Sequence, residues 1–299
     1  MQTILVPIDF TASSEHALVY ANKLALRLPA EIVLVHSAAD GPLTPERRAD
    51  LLHRLEALAE RLRYRQLTRQ SGRRINYYYH AGDGLSAEGL QVLVAGFNAD
   101  LVVAGLALAD CAEAQAAGAP RALLPELVSC PVLLVPPGRH ELPARVVVSG
   151  DFTRLASRHL SPLPGLVRPS GAHFDLVQFY GAGSAGLAPL KKGVLAARSR
   201  FAAAAVHLLP AEDELEDLSE FCEQQAAQLL VVATADGCLV RRFFNPHYAK
   251  TNAYHLRIPV LVLGTSTEPT ASCCAQCSLR KAAEARLIAG PHLEKASAS

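Results

Sequence analysis

The chain has no tryptophan, one methionine and few aromatic residues, which make up 6% of its 299 positions. Charged residues are also scarce at 19%, and they nearly cancel to a formal net charge of +1. A protein that holds nucleic acid by surface charge concentrates Lys and Arg, so no nucleic-acid partner is predicted. Half of the residues are apolar, which excludes an acidic, disordered chain and predicts folded domains.

Long hydrophobic runs are missing as well. Apolar stretches such as 101–108 and 260–263 fall far short of the roughly 20 apolar residues of a membrane helix, so no membrane partner is predicted. A basic region followed by a long apolar one is absent from the N-terminus, where Asp9 interrupts the first apolar run. We therefore expect no secretory signal and a cytoplasmic location. Seven cysteines, an odd number, fit reduced thiols better than a disulfide framework.

Two halves of the chain resemble each other. The segment ILVPIDFTASSEHAL at 4–18 aligns with VVVSGDFTRLASRHL at 146–160, and this alignment matches Asp9 to Asp151. Nearer the end of each half, DLVVAGLALAD aligns with QLLVVATADGC and CPVLLVPPG aligns with IPVLVLGTS. The offset is 142 for the first pair and 128 for the later pairs. The second copy is therefore shortened between its first and fourth strands.

The predicted organisation has two domains, as expected for a chain of this length. The first domain covers 1–138, a linker 139–144, a second, degenerate domain 145–266 and a C-terminal tail 267–299. The boundary falls in PPGRHELPA, where three prolines and a glycine prevent regular structure.

Short apolar runs alternate with longer segments of helical period, which is typical of a parallel sheet covered by helices. In the first copy, helices are predicted near 13–28, from 44 onward and near 85–97. Strands are predicted near 3–7, 31–36, 74–79, 100–105 and 131–135, and in the second copy near 145–149, 174–180, 203–208, 228–233 and 259–263.

Asp9 follows the first strand at the start of the first helix. In an open parallel sheet, ligands bind beyond the carboxyl ends of the strands, so this carboxylate is placed to accept hydrogen bonds from a ligand. The alternative is that Asp9 caps the helix. Thr11 and Ser13 are also suitable caps, which favours the ligand role without deciding it.

These segments, ILVPIDFTASSEHALVYANKLALRLPAEIVLVHS followed by ADLVVAGL and CPVLLVP, resemble the universal stress protein family. The internal repeat makes the chain similar to a tandem member, closely over 2–138 and more weakly over 145–265. The resemblance implies an α/β fold with two open five-stranded parallel sheets of the adenine-nucleotide alpha-hydrolase (Rossmann-like) type. It also implies a pseudo-dimer packed through the last strand of each copy. Some members of the family bind ATP and others do not.

The resemblance also implies an adenine-nucleotide pocket in the first copy. Asp9 matches the acid on the base side of the pocket, and Val35 or His36 lies where the family contacts adenine. ATP-binding members carry glycine, two residues, glycine, nine residues, glycine and then serine or threonine after the fourth strand. In this chain Gly105 and Gly118 keep two of these four positions.

The phosphate side of the pattern is weakened. Leu108 and Ala119 replace the other two positions, and the loop has no Lys or Arg before Arg121, so a triphosphate finds few partners. In the second copy all four positions are replaced, by Ala233, Asp236, Pro246 and His247.

We therefore expect a stress-associated regulatory or binding protein without canonical ATP binding, and no enzyme activity is predicted. The alternative is an adenine-nucleotide switch or weak ATPase that holds ATP or AMP in the first domain. The expected partners are an adenine nucleotide, an unidentified protein and a second copy of the chain. The tail supplies three thiols but no fourth ligand in sequence, so no metal site is predicted; the three are Cys273, Cys274 and Cys277.

Overall fold

A computed structural model of the chain describes most of both halves. The described residues are 2–38, 43–68, 74–83, 87–105, 128–155, 160, 163, 171–181, 186–201, 204–233 and 257–263. Gly118, the replaced loop positions at 108, 119, 236, 246 and 247, and the three tail cysteines lie outside these ranges.

Strands and helices alternate along both halves. In the first half they are β1 (Gln2–Pro7), α1 (Ala12–Arg27), β2 (Ala30–Ala38), α2 (Pro45–Thr68), β3 (Tyr77–Asp83), α3 (Ala87–Gly96), β4 (Leu101–Gly105) and β5 (Val132–Val135). In the second half they are β6 (Arg145–Gly150), β7 (His173–Tyr180), α4 (Leu187–Arg198), β8 (Ala205–Pro210), α5 (Glu214–Gln224), β9 (Leu229–Ala233) and β10 (Val260–Val262).

The ten strands form one sheet in the order β3-β2-β1-β4-β5-β10-β9-β6-β7-β8. Every neighbouring pair is parallel except β5 and β10, which run antiparallel with Leu133 opposite Leu261. Each half therefore has the same strand order, and the halves meet through their last strands. The predicted α/β, mostly parallel architecture is confirmed, while the domain boundaries stay predictions.

The third strand is placed differently from the prediction. It begins at Tyr77 and ends at Asp83, whereas the sequence pattern predicted 74–79. Before it, the carbonyl of Asn76 accepts a hydrogen bond from the Ile32 amide at 3.0 Å. Pairing then continues to Asp83 because β2 runs on to Ala38 and supplies a partner for each residue.

The strands are buried on both faces of the sheet, as their continuous apolar runs require. Alternate residues of β1 belong to different hydrophobic clusters: Ile4 and Val6 belong to the cluster that contains α1, and Leu5 belongs to the cluster on the opposite face, which contains α3. No helix in the described part of the chain is both long enough and apolar enough to cross a bilayer.

The segment joining the two halves lies against α1. The Lys23 Nζ donates to the His140 carbonyl at 2.7 Å and pairs with Glu141 at 2.7 Å. The Gly138 amide donates to the His16 Nδ1 at 3.3 Å. This connection is therefore fixed to the first half even though it contains no regular element.

Candidate functional site

The acid at the end of β1 supports the residue that caps α1. Thr11 is the N-cap, and its hydroxyl oxygen accepts from the Ser14 amide at 3.4 Å. The Asp9 Oδ1 in turn accepts from the Thr11 amide at 2.9 Å and from the Thr11 hydroxyl at 2.7 Å. Asp9 therefore does not cap the helix itself, and both hydrogen bonds from Thr11 go to one carboxylate oxygen.

The Asp9 carboxylate keeps its charge at neutral pH. Partial burial raises its pKa, but hydrogen bonds from Ser14 and Thr11 lower it by more, and the net pKa lies below the ordinary value. An ionised carboxylate only accepts hydrogen bonds and has room for several. The Oδ2, to which Thr11 does not donate, can therefore accept from an amino or hydroxyl group.

His36, at the end of β2, lies beside this acid. Its Nδ1 is 2.7 Å from the Ile8 carbonyl oxygen, and because a carbonyl oxygen only accepts, the Nδ1 must carry a proton. The Nε2 of the neutral ring is then an acceptor. No other hydrogen bond of His36 occurs among the residues that the structure describes.

Phe10 brings an aromatic ring to the same place. Its φ of 63° lies in the left-handed region, which is uncommon for a side chain of this size. With this backbone, the Phe10 ring centre lies 4.7 Å from that of His36, at an interplanar angle of 45°. Two aromatic rings and a carboxylate therefore share the crevice beyond β1 and β2.

The two other described pocket candidates have clear structural roles. Val35 is 1% exposed and packs in the cluster on the α3 side of the sheet, and its carbonyl accepts from the Ile8 amide at 2.7 Å. At Gly105, an added Cβ would lie 2.8 Å from backbone atoms of Ser13. Gly105 thus lets the first turn of α1 approach β4 closely. Neither observation tests a role in ligand binding.

Arg54, on α2, was missed by the sequence analysis. Its Cζ lies 3.9 Å from the centre of the Phe10 ring, where a guanidinium interacts favourably with the ring face. Leu51 and Leu52 of the same helix pack with Phe10. The only signal in the sequence was that Arg54 adjoins the apolar stripe of α2, and this does not reveal its contact with the turn after β1.

The corresponding site in the second half is filled by protein groups. The Asp151 Oδ1 accepts from the Thr153 amide and hydroxyl, at 3.0 and 2.5 Å, and also from the Gln178 Nε2 at 3.1 Å. Gln178 aligns with His36 at the offset of 142. Phe152 is only 5% exposed, and an added Cβ at Gly193 of α4 would lie 3.1 Å from the Phe152 backbone. Helix α4 and Gln178 therefore close this second crevice.

The sheet order, the covering helices and the acid after β1 define the chain as an α/β protein of Rossmann-like type. Residues 1–108 match the model of the universal stress protein family, so this part of the chain is similar to that family. The family match ends within the first half, and the second half shares its strand order.

Solved structures extend the fold comparison over both halves. A universal stress protein from Archaeoglobus fulgidus DSM 4304 is 15% identical, with a TM-score of 0.60, and the match covers 88% of this chain and 98% of that one. A second protein, described as a universal stress protein from Pseudomonas aeruginosa UCBPP-PA14, is 15% identical over 88% of this chain and 93% of that one, with a TM-score of 0.53.

A single-domain comparison is weaker. A universal stress protein family member from Arabidopsis thaliana, solved with AMP bound, is 18% identical over 48% of this chain and 97% of that one. Its TM-score of 0.32 carries no argument about this chain. No curated protein matches the chain.

Proposed function

We propose that the protein is a stress-associated regulatory binding protein that holds an adenine-type ligand in the crevice of its first half without canonical ATP binding. The observation that carries the proposal is the difference between the two acids. In the second half Gln178 donates a hydrogen bond to Asp151. In the first half His36 makes its described hydrogen bond to the Ile8 carbonyl and not to Asp9. The Asp151 Oδ2 also lies 4.0 Å from the Arg154 Nε, so among the described residues the second acid has an amide donor and a nearby cation that the first acid lacks.

The chemistry of this crevice suits a planar ring that bears an amino group. The ionised Asp9 accepts hydrogen bonds, the His36 Nε2 is a second acceptor, and the His36 ring, packed beside Phe10, adds an aromatic surface. Aromatic faces stack on nucleobases regardless of base identity, so specificity for adenine would come from the acceptors.

The loop after β4, where the family binds phosphate groups, gives less support for a nucleotide ligand than the base side does. The loop after β4 keeps only two of its four expected positions and has no basic residue before Arg121. A triphosphate needs several donors or cations to balance its charge. We therefore place the ligand among adenosine and its less charged derivatives.

The alternative is an ATP-dependent switch or weak ATPase in the first half. It is favoured by Gly105 and Gly118, which remain from the family's phosphate-binding pattern. This alternative requires ATP to bind more tightly than adenosine and AMP, so a comparison of the three ligands separates the two functions.

Asp9→Ala tests the proposed function. We expect adenosine to bind the unchanged protein saturably and the variant at least about tenfold more weakly, because a hydrogen bond to a charged acceptor is lost. Isothermal titration with adenosine, AMP and ATP measures this, and urea unfolding checks that the variant, which also loses the support of Thr11, is folded at the temperature used.

Asp151→Ala is the matched control, since Asp151 makes the same two bonds to a threonine in the second half. Its adenosine affinity should equal that of the unchanged protein. Binding of none of the three ligands would refute the proposal. ATP that binds more than tenfold better than adenosine and is hydrolysed would establish the alternative.

Four further predictions from the sequence stay part of this proposal. They are a cytoplasmic location, an unidentified protein partner, a homodimer in addition to the internal pairing, and domain limits at 1–138 and 145–266. Sedimentation of the full chain checks the homodimer, and proteolysis checks the limits.

A further inference from the structure

Helix α4 carries an exposed stripe of leucines and cations. Leu187 and Leu195 are 48% and 44% exposed, and Lys191 and Arg198 are exposed as well. The four positions are spaced by four, four and three residues, so they share one side of the helix. Neither cation makes an ion pair in the part of the chain that the structure describes, and the sequence from 176 to 211 contains no Asp or Glu. The stripe is therefore apolar, basic and uncompensated by nearby acids in sequence.

The stripe faces an open edge of the sheet. Helix α4 packs over β7 and β8, and β8 is the last strand at its end of the sheet. An added Cβ at Gly193 would lie 3.1 Å from the Phe152 backbone, so this flank of α4 faces inward, toward the turn after β6. Leu195 lies two residues further on, which is about 200° around the helix, and is therefore on the outer flank beside β8.

Helix α5 carries the opposite charge. Glu216, Glu220 and Glu223 are exposed, and their spacing of four and three residues places them on one side of the helix. The helix contains no Lys or Arg. Among the described residues none of these three glutamates makes an ion pair. The outer surface of α5 is thus an acidic stripe.

The two stripes cannot pair within one chain. The buried residues of α4 belong to the hydrophobic cluster on the α1 side of the sheet, and those of α5 belong to the cluster on the α3 side. The sheet therefore separates the basic helix from the acidic one. A second copy of the chain supplies a partner of opposite charge for each of them.

We propose that two copies of the chain form a dimer in which α4 of each copy packs against α5 of the other. A twofold axis parallel to β8 exchanges the two faces of the sheet, so it forms both contacts at once and closes the assembly. The leucines of α4 supply apolar contact area, the opposite charges select the partner, and the dimer covers the edge at β8. This inference rests on the homodimer included in the proposed function and assigns its surface.

Two charge-reversed chains test the contact. One carries Lys191→Glu and Arg198→Glu on α4, and the other carries Glu216→Lys and Glu220→Lys on α5. Each alone should dimerise at least about tenfold more weakly than the unchanged protein, because like charges then meet in both contacts. Sedimentation equilibrium of the full chain measures the dissociation constants. The unchanged dimer should weaken as the salt concentration rises from about 0.05 to about 0.5 M.

A one-to-one mixture of the two reversed chains gives the positive test. In the mixed dimer each reversed helix meets a helix of opposite charge. The mixture should therefore dimerise at least about tenfold more tightly than either chain alone. Urea unfolding of each chain checks that both variants are folded under the conditions of the measurement.

Arg48→Glu combined with Arg74→Glu is the matched control. It makes the same change of charge at exposed residues of the first half, near β3 at the other end of the sheet. Its dissociation constant should stay within about twofold of the unchanged value, because neither residue lies in the proposed contact.

Three results would overturn the inference. They are a dimer that both reversed chains still form, a folded mixture that does not recover the dimer, and a monomer that binds phosphatidylserine vesicles through α4. The last result would assign α4 to an anionic membrane surface, which basic helices with exposed leucines also suit. An unchanged protein that stays monomeric at every concentration would refute the homodimer of the proposed function as well, while the adenosine titration would still decide the ligand.

Discussion

Leu133→Ala and Leu261→Ala are each expected to destabilise the protein by about 2–5 kcal/mol. These leucines lie opposite each other on β5 and β10, are 3% and 2% exposed, and belong to the same hydrophobic cluster. Opposed residues of an antiparallel pair point to the same face, so each alanine would leave a cavity where the two halves of the sheet join. Urea unfolding followed by circular dichroism measures the loss.

The double variant tests whether the two halves share stability through this junction. Contacting residues show interaction energies of about 0.5–3 kcal/mol in such cycles, so the two losses should not simply add. Leu195→Ala is the control, since Leu195 is 44% exposed on α4, and it should change stability by less than about 0.5 kcal/mol. Additive losses across the pair would mean that β5 and β10 contribute to separate cores.

The order of elements was predictable because each strand is an apolar run and each described helix has a clear period. The end of β3 was not, because the polar residues after Tyr79 look like a loop in isolation. They are in the sheet because β2 continues to Ala38 and pairs with them. Pairing partners that lie 45 residues away in sequence, as with His36 and Ala81, decide such boundaries.

The candidate site also contains residues that the sequence could predict and contacts that it could not. Asp9 could be predicted because the carboxyl ends of parallel strands define a crevice, whereas His36, with Val35 as the alternative, was implied by the resemblance to the universal stress protein family. The support that Asp9 gives to Thr11 could not be assigned, since several neighbouring residues were equally suitable caps. The contact of Arg54 with Phe10 depends on how α2 crosses the turn, and no local pattern in either segment encodes it.

The second half shows what sequence alignment alone cannot decide. Asp151 aligns with Asp9 and predicts an equivalent acid. The structure shows that its carboxylate accepts a third hydrogen bond, from Gln178. This added bond comes from the position where the first half has histidine and the second half has glutamine.

Gly105→Ala is expected to destabilise the protein by about 1–3 kcal/mol, the usual range for overpacking. The added Cβ would lie 2.5 Å from the Ser13 hydroxyl oxygen and 2.8 Å from the Ser13 backbone carbon and oxygen. The hydroxyl can rotate away, but the backbone atoms belong to the first turn of α1 and move only with the helix. The start of α1 must therefore shift away from β4, and the urea midpoint reports the cost.

Gly96→Ala is the control for this substitution. Gly96 ends α3, and an added Cβ there would meet no atom within 4 Å, so alanine should be neutral or stabilise the helix by up to about 1 kcal/mol. If Gly105→Ala is as stable as the unchanged protein, the packing role of Gly105 is refuted. If it is destabilised but keeps full adenosine affinity at a temperature where it is folded, Gly105 serves the contact between α1 and β4 rather than the ligand.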